Sequence, residues 1–181
     1  VGTFPGVQNF SIRGQGINSS IPSVDPTVGV FVDGVFLGTS YGVVVDTFDF
    51  ESVEILRGPQ GMLFGRNVTG GAVMLRNARP TGEFGFRARV GATDRDQFNV
   101  AAALEGSLVE DKLAAKIVVL RDEDDGYYPN PTVGSQVGQM TTTLIRPMIT
   151  WTPTDSSNIT LIYEYGKTDG DGAAWAVVSD Q

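Results

Sequence analysis

The sequence predicts two parts of different fold: a mixed α/β unit over residues 1–79 and a series of antiparallel β-strands over residues 80–181. Glycine supplies 23 of the 181 residues, about twice its usual share, which favours tight turns over long helices. The first part carries five Arg, no Lys and six acids, whereas the second carries eight Lys and Arg against fifteen acids. Pro80 and Gly82 lie where this composition changes, so we place the boundary there.

The composition excludes several classes of function. The chain contains no Cys and no His, which removes disulfides, thiolate metal sites and the commonest catalytic base. A net charge of −8 argues against nucleic-acid binding, which needs a basic surface. We therefore predict no catalytic residue, no cofactor, no metal site and no nucleic-acid partner. A hydrolase built on two carboxylates is the enzymatic alternative that survives, but no spacing of acids indicates it.

Short elements separated by turns make up the first part. An apolar, β-branched run at residues 28–33 ends in an Asp-Gly dipeptide, which is typical of a hairpin turn. A later run alternates, and this places Val53, Ile55 and Arg57 on one face of a strand at residues 52–57. We expect the other elements to be a second hairpin strand at residues 35–37, one helical turn at residues 60–64 and a strand at residues 72–76.

One pattern repeats along the second part. Apolar residues occupy every second position of five segments, which is the period of a strand with one apolar and one polar face. In the first segment, Phe84, Phe86 and Val90 share the apolar face, and Arg87 and Arg89 share the polar face. The segments cover residues 83–93, 98–108, 112–121, 143–151 and 158–165, and residues 122–140 form a long polar connection.

Strands of about ten residues, joined alternately by short turns and longer connections, are typical of a transmembrane β-barrel with its apolar face toward lipid. Trp151, Tyr163 and Tyr165 near strand ends fit the aromatic girdles of such barrels. A charged residue on the apolar face would contradict the barrel, and the first, second and fifth segments carry none before Lys167. A soluble β-sandwich gives the same alternation and stays open as the alternative. Because membrane barrels have about eight strands or more, we expect an incomplete barrel in this chain.

Three segments carry a resemblance to one family. They are Ile12-Arg13-Gly14, residues 28–34 and, most specifically, residues 51–73, which read ESVEILRGPQGMLFGRNVTGGAV. Their order and spacing are similar to those of the plug domain of TonB-dependent outer-membrane receptors, with Ser52 where the family often has Arg. The resemblance covers essentially the whole chain. It implies that residues 1–79 are the later part of a plug domain and that residues 80–181 are about the first five strands of the barrel.

The resemblance also implies a function. In this family a plug lies inside a barrel of about 22 strands in the outer membrane of a Gram-negative bacterium. Such receptors take up scarce nutrients, for example ferric siderophores. The implied partners are TonB, through a segment that this chain lacks, a small-molecule nutrient, and membrane lipid and lipopolysaccharide. The alternative function is a soluble β-rich binding or adhesion module.

The resemblance assigns candidate site residues in three sets. Ligand contact in the family comes from outward-pointing plug loops, which correspond here to Gln15, Asn18, Ser19, Ser20, Thr39, Ser40 and Tyr41. These residues offer uncharged hydrogen-bonding groups and an aromatic ring on loops, where binding residues concentrate. The second set is expected to form ion pairs inside the plug or to the barrel wall: Arg13, Glu51, Glu54, Arg57 and Arg66. The third set consists of glycines for tight turns: Gly58, Gly61, Gly65, Gly70 and Gly71.

Overall fold

The computed structural model describes residues 10–16, 25–38, 46–93, 97–126, 128–129 and 136–171. Its elements in chain order are β1 (Val28–Val32), β2 (Val35–Phe36), a 3-10 turn (Thr47–Asp49), β3 (Phe50–Arg57), α1 (Gly61–Phe64), β4 (Gly71–Asn77), β5 (Gly85–Ala92), β6 (Gln97–Val109), β7 (Leu113–Asp124), β8 (Tyr128–Pro129), β9 (Gln136–Val137), β10 (Met140–Thr154), β11 (Ser157–Ile162) and β12 (Tyr165–Gly170). Strands β1–β4 form a first sheet, β5–β7 with β10–β12 form a second, and β8 pairs with β9.

The first sheet has the strand order β2-β1-β4-β3. The predicted hairpin joins β1 to β2, and Asp33 and Gly34 have φ angles of 50° and 84°, as a two-residue hairpin turn requires. β1 runs parallel to β4, whereas β3 runs antiparallel to it. Apolar side chains cover both faces of the sheet, with Ile12, Val28, Val73 and Leu75 in one cluster and Phe31, Val68 and Ala72 in the other.

Helix is scarce in the first part. Within the described residues, the helical structure consists of the four-residue α1 and the 3-10 turn, so the expected mixed α/β character is not confirmed. The predicted helical turn does form, but Gly65 follows it with a φ of 77° and ends it. β-Branched runs in the flanking strands favour sheet instead. No helix in the described ranges is long and apolar enough to cross a membrane.

The second sheet, which we call the wall, is antiparallel throughout, with the order β11-β10-β7-β6-β5 and with β12 also paired to β10. Its strands follow the predicted alternation, but two boundaries differ. β7 and β10 extend into the predicted long connection, which also contains the β8–β9 pair. The predicted fifth strand is interrupted after β11 and continues as β12 to Gly170, in the same register against β10. At the interruption the N–H of Tyr163 donates to the carbonyl oxygen of Pro147 at 3.1 Å, but Pro147 has no N–H to donate in return.

The two faces of the wall differ in character. The face directed away from the first sheet, the outward face, is exposed and largely apolar, and its members include Phe86, Val90, Leu104, Ile117, Ile149 and Leu161. Its charged residues lie together at one end of the strands, where the register of β6, β7, β10 and β12 brings Arg121, Glu123, Lys167 and Asp169 to the same face. The inward face combines small or aliphatic residues with charged ones, including Ala101, Leu120, Leu144, Arg87, Lys116 and Arg146. Apart from that charged end, the division matches the apolar and polar faces that the sequence predicts.

Candidate functional site

Residues 46–50, Asp-Thr-Phe-Asp-Phe, lie at the start of β3 and contact the wall through their side chains. We call them the seating segment. Asp46 caps the 3-10 turn, because its Oδ1 atom accepts the backbone N–H of Phe48 at 2.7 Å. Such a cap satisfies an amide at the start of the turn and fixes the direction of the chain. The side chains of Phe48 and Asp49 consequently both contact the inward face of the wall.

An ion pair between Asp49 and Lys116 lies at the centre of this contact. The Nζ atom of Lys116 is 2.6 Å from the Oδ1 atom of Asp49, and each side chain is 1% exposed. The Nη2 atom of Arg87, a half-exposed side chain, lies 2.5 Å from the same oxygen. The Oδ2 atom of Asp49 is buried without a hydrogen-bond partner among the described residues. A buried pair of this kind adds little net stability, but removing one partner strands the other charge at a large cost.

Lys116 also fixes a second segment of the chain. Its ammonium donates to the carbonyl oxygen of Ala78 at 2.9 Å, and the N–H of Ala78 donates to the carbonyl oxygen of Asp49 at 2.9 Å. Ala78 directly follows β4, where the chain leaves the first sheet for the wall. An ammonium has three donors, so one side chain can bind both segments. Lys116 therefore holds both the segment that precedes β3 and the segment that follows β4.

Phe48 fills a slot on the inward face. The guanidinium carbons of Arg87 and Arg89 lie 6.0 Å and 5.4 Å from the centre of its ring, within cation–π range. The Nη2 atom of Arg89 is also 2.7 Å from the Oδ2 atom of Asp46. The ring packs against two wall clusters, formed by Ala101, Leu120 and Leu144 and by Ala103, Val118 and Met148. The seating segment is thus held by both charge and apolar contact.

Arg146 extends the charged surface across the wall to β10. Its side chain is 3% exposed, and its Nε atom lies 2.7 Å from the Oε2 atom of Glu164. Its guanidinium carbon is 5.9 Å from the centre of the Phe50 ring. In the part of the chain that the structure describes, no group of three or more acidic side chains could hold a metal ion. The arrangement holds residues 46–50 against the wall by ion pairs and ring contacts.

The predicted ion-pair set is not assembled in the described residues. Arg13, Glu51, Glu54 and Arg57 are all exposed, and none of them forms an ion pair within the described ranges. Glu54 and Arg57 lie three residues apart in β3, so their side chains point to opposite faces of the strand. Pairing of these residues with acids elsewhere in the receptor stays a prediction.

Arg66, the fifth member of that set, lies 3.8 Å from Asp25, but the two side chains are 82% and 60% exposed. An exposed pair of this kind contributes about 0–1 kcal/mol. The buried ion pair of the described structure is formed instead by Asp49 and Lys116. The sequence did not lead us to predict this pair.

Of the predicted ligand residues, the structure describes Gln15. Its side chain is exposed, and its backbone exchanges two hydrogen bonds of 2.9 Å with Ile12. Gln15 lies against Gly70, whose N–H donates to the carbonyl oxygen of Thr27. The other six residues of the set lie outside the described residues: Asn18, Ser19, Ser20, Thr39, Ser40 and Tyr41. Ligand contact by this set therefore stays a prediction.

The predicted turn glycines differ in how strongly their backbone requires glycine. Gly58, Gly65 and Gly71 have φ angles of 89°, 77° and 145°, whereas Gly61 and Gly70 lack a positive φ. Gly71 is the most constrained. A Cβ atom there would lie 2.3 Å from the carbonyl oxygen of Leu56 and 2.7 Å from a methyl carbon of Ile12.

A signal in the sequence could have located the seating contact. Arg87, Arg89 and Lys116 occupy polar positions of strands whose inward face is predicted to be enclosed, and enclosed cations need acidic partners. Asp46 and Asp49 lie beside Phe48 and Phe50 at the start of β3, which makes these acids candidates for those partners. Arg87 and Arg89 lie on the predicted polar face, but their pairing with these two acids was not predicted.

Comparison with known proteins gives a family match and several relatives. Residues 1–72 match the family model described as the TonB-dependent receptor plug domain. The pesticin receptor of Yersinia enterocolitica is 32% identical over 121 residues, which cover 67% of this chain and 18% of the relative. The vitamin B12 transporter BtuB of Vibrio vulnificus is 30% identical over 143 residues, which cover 74% of this chain and 23% of the relative. The chain thus spans about a fifth of the length of the curated relatives it matches.

Solved structures agree with this result. The ferric yersiniabactin uptake receptor FyuA of Yersinia pestis has a TM-score of 0.78 and 25% identity, and the match covers 93% of this chain and 28% of that one. The pyoverdine outer-membrane receptor FpvA of Pseudomonas aeruginosa has a TM-score of 0.69 and 18% identity, with coverage of 88% and 22%. The second likeness concerns the fold alone.

Proposed function

Since this chain belongs to the TonB-dependent receptors of the Gram-negative outer membrane, we propose that it takes part in the active uptake of a scarce nutrient. Residues 1–79 would serve as plug and residues 80–181 as the first strands of the barrel. The relatives are transport receptors and not enzymes. The observation that supports the proposal is the seating contact, in which residues 46–50 of the first part pack on the inward face of a wall whose outward face is largely apolar.

The outward face supports membrane insertion over the soluble alternative. Val90 and Leu161 are each 69% exposed, and apolar side chains continue across the strands between them. A soluble β-sandwich would cover such a face with a second sheet, and a large exposed apolar surface favours aggregation in water. Lipid chains would cover the same face without cost. We therefore propose that outer-membrane lipid and lipopolysaccharide surround this wall.

A charge on the outward face tests this proposal. Ile117 lies on the outward face of β7, and arginine at the midplane of a membrane barrel costs about 2–4 kcal/mol. We expect Ile117→Arg to lower the amount of full-length receptor assembled in the outer membrane. Asn158→Arg, next to a short turn, should leave the amount unchanged. Equal assembly of both variants, measured by surface labelling and membrane fractionation, would favour the soluble module.

The substrate of the receptor is proposed from the relatives and from the predicted loops. Relatives include a ferrioxamine B receptor, a vitamin B12 transporter and a ferric yersiniabactin receptor. We propose a bulky, scarce nutrient such as a ferric siderophore, bound by the predicted ligand residues and imported with energy delivered through TonB. Energised uptake of ferric siderophores and of cobalamin, measured in cells with and without the full-length gene, would test this. Equal uptake of both nutrients with and without the gene would reject the proposal.

Arg57 offers a more specific test of plug function. It lies on the exposed side of the edge strand β3 with Val53 and Ile55, where a further barrel strand could supply an acid. We expect Arg57→Ala to reduce energised uptake more than ligand binding, because a guanidinium that seats the plug would be lost while the binding loops remain. Arg66→Ala, at an exposed pair, should change neither quantity. Loss of binding with normal plug seating would instead make Arg57 a ligand residue.

A further inference from the structure

We propose that the inward face of the wall is a binding surface for anionic aromatic solutes, which the seating segment occupies until the plug moves. The inference rests on the proposed function, because it requires the plug to leave the wall. It concerns side chains of the wall and not the predicted ligand residues of the first part. The ligand class follows from the chemistry of the segment that the wall already holds.

The seating segment has the chemistry of a ligand. It brings two carboxylates, of Asp46 and Asp49, and two aromatic rings to one surface of the wall. The wall presents four cations from three strands to this segment: Arg87, Arg89, Lys116 and Arg146. Guanidinium groups bind carboxylates through directed, charge-assisted hydrogen bonds and also stack on aromatic rings. Both kinds of contact are present at Phe48 and the acids beside it.

Departure of the segment leaves Arg87, Arg89 and Lys116 without the carboxylates of Asp46 and Asp49, whereas Arg146 keeps Glu164. Lys116 and Arg146 are 1% and 3% exposed with the segment in place, and Lys116 loses its carboxylate when Asp49 leaves. Uncompensated charge in a partly desolvated site is costly, so a solute that carries an acid group lowers the cost of releasing the segment. The seating segment and an anionic solute therefore exchange on the same cations, as counterions do.

Apolar contact narrows the ligand class further. The Phe48 slot is lined by small and aliphatic side chains such as Ala101, Ala103 and Val118, with two guanidinium groups at the ring. A planar aromatic ring with a carboxylate or phenolate fits this combination. A neutral ring lacks the charge-assisted bonds, and a small aliphatic acid lacks the ring contacts. The predicted occupants are thus free aromatic carboxylates.

Binding of 2-naphthoate, a fluorescent aromatic carboxylate, to the purified full-length receptor tests the inference. The Asp46→Asn, Asp49→Asn variant removes the two competing carboxylates and keeps the cations. We expect it to bind 2-naphthoate at least about tenfold more tightly than the wild type, which is the scale of one or two charge-assisted contacts. Adding Arg87→Gln and Arg89→Gln should abolish the gain. Neutral 2-naphthylmethanol and acetate should show no gain in any variant.

Two outcomes would overturn the inference: no gain in the Asn variant, or an equal gain after the Arg substitutions. Phe48→Ala is a second variant that keeps every charge and empties the slot, so it should also increase 2-naphthoate binding if the Asn variant folds poorly. The conductance of the same proteins in planar bilayers separates the inference from the proposed function. A wild-type receptor that already conducts would reject closure by the plug, whereas an open Asn variant without naphthoate binding would reject the inference alone.

Discussion

Replacing Lys116 with Met in the full-length receptor should release the seating segment from the wall. Met keeps most of the apolar length of the side chain but removes the ammonium, so Asp49 would be left buried beside a half-exposed Arg87 as its remaining partner. Breaking a buried pair costs about 3–5 kcal/mol. The carbonyl of Ala78 would lose its donor at the same time. The segment that precedes β3 and the segment that follows β4 should therefore loosen together.

Hydrogen exchange at the amides of Phe48 and Ala78 measures this loosening, because both amides donate within the seating contact. A cost of about 3–5 kcal/mol corresponds to an increase in exchange rate of roughly a hundredfold to a few thousandfold. Lys112→Met is the matched control, since Lys112 is exposed at the turn after β6. Unchanged exchange in Lys116→Met, or equal effects of the two substitutions, would show that the ammonium does not hold the segment.

Replacing Gly71 with Ala should destabilise the first sheet strongly. The new Cβ atom would lie 2.3 Å from the carbonyl oxygen of Leu56, a backbone atom that cannot move without disturbing the β3–β4 ladder. The φ angle of 145° adds strain for any residue with a Cβ atom. Overpacking and backbone strain each cost about 1–3 kcal/mol, so the sum is roughly 2–6 kcal/mol.

Gly61→Ala is the control for this substitution. Gly61 starts α1 and has no positive φ, and no atom lies within 4 Å of the place that a Cβ atom would take, so alanine should leave stability unchanged or raise it slightly. The yield of folded receptor and its resistance to protease in the outer membrane report the difference. If Gly71→Ala matches Gly61→Ala in both measurements, the carbonyl oxygen of Leu56 does not approach Gly71 closely enough to exclude a Cβ atom.

Local pattern predicted most of the fold. The alternation of Phe98, Val100 and Leu104, for example, gave the correct outward face of β6, because the pleat of a strand depends only on its own residues. The Asp33-Gly34 turn was predicted for the same reason. The division of the last strand at Tyr163 and the extension of β7 were missed. Both depend on pairing with β10, which a local pattern does not contain.

The seating contact could not be predicted from local pattern. Arg87 pairs with an acid 38 residues earlier in the chain, and Arg89 with one 43 residues earlier. Glu54 and Arg57 are close in sequence, but proximity along a strand separates faces as often as it joins them. The most buried cation of the described residues is Lys116. Its ammonium reaches two acceptors in different directions, which a planar guanidinium does less well.

The conductance of the purified full-length receptor in planar lipid bilayers is the most direct test of the proposed closure of the barrel by the first part. The wild type should remain closed, and Lys116→Met should show discrete openings under the same voltage, because the seating segment no longer holds the plug against the wall. Lys112→Met should remain closed. A wild-type receptor that conducts freely, or a Lys116→Met receptor as closed as the wild type, would contradict the role assigned to Asp49 and Lys116.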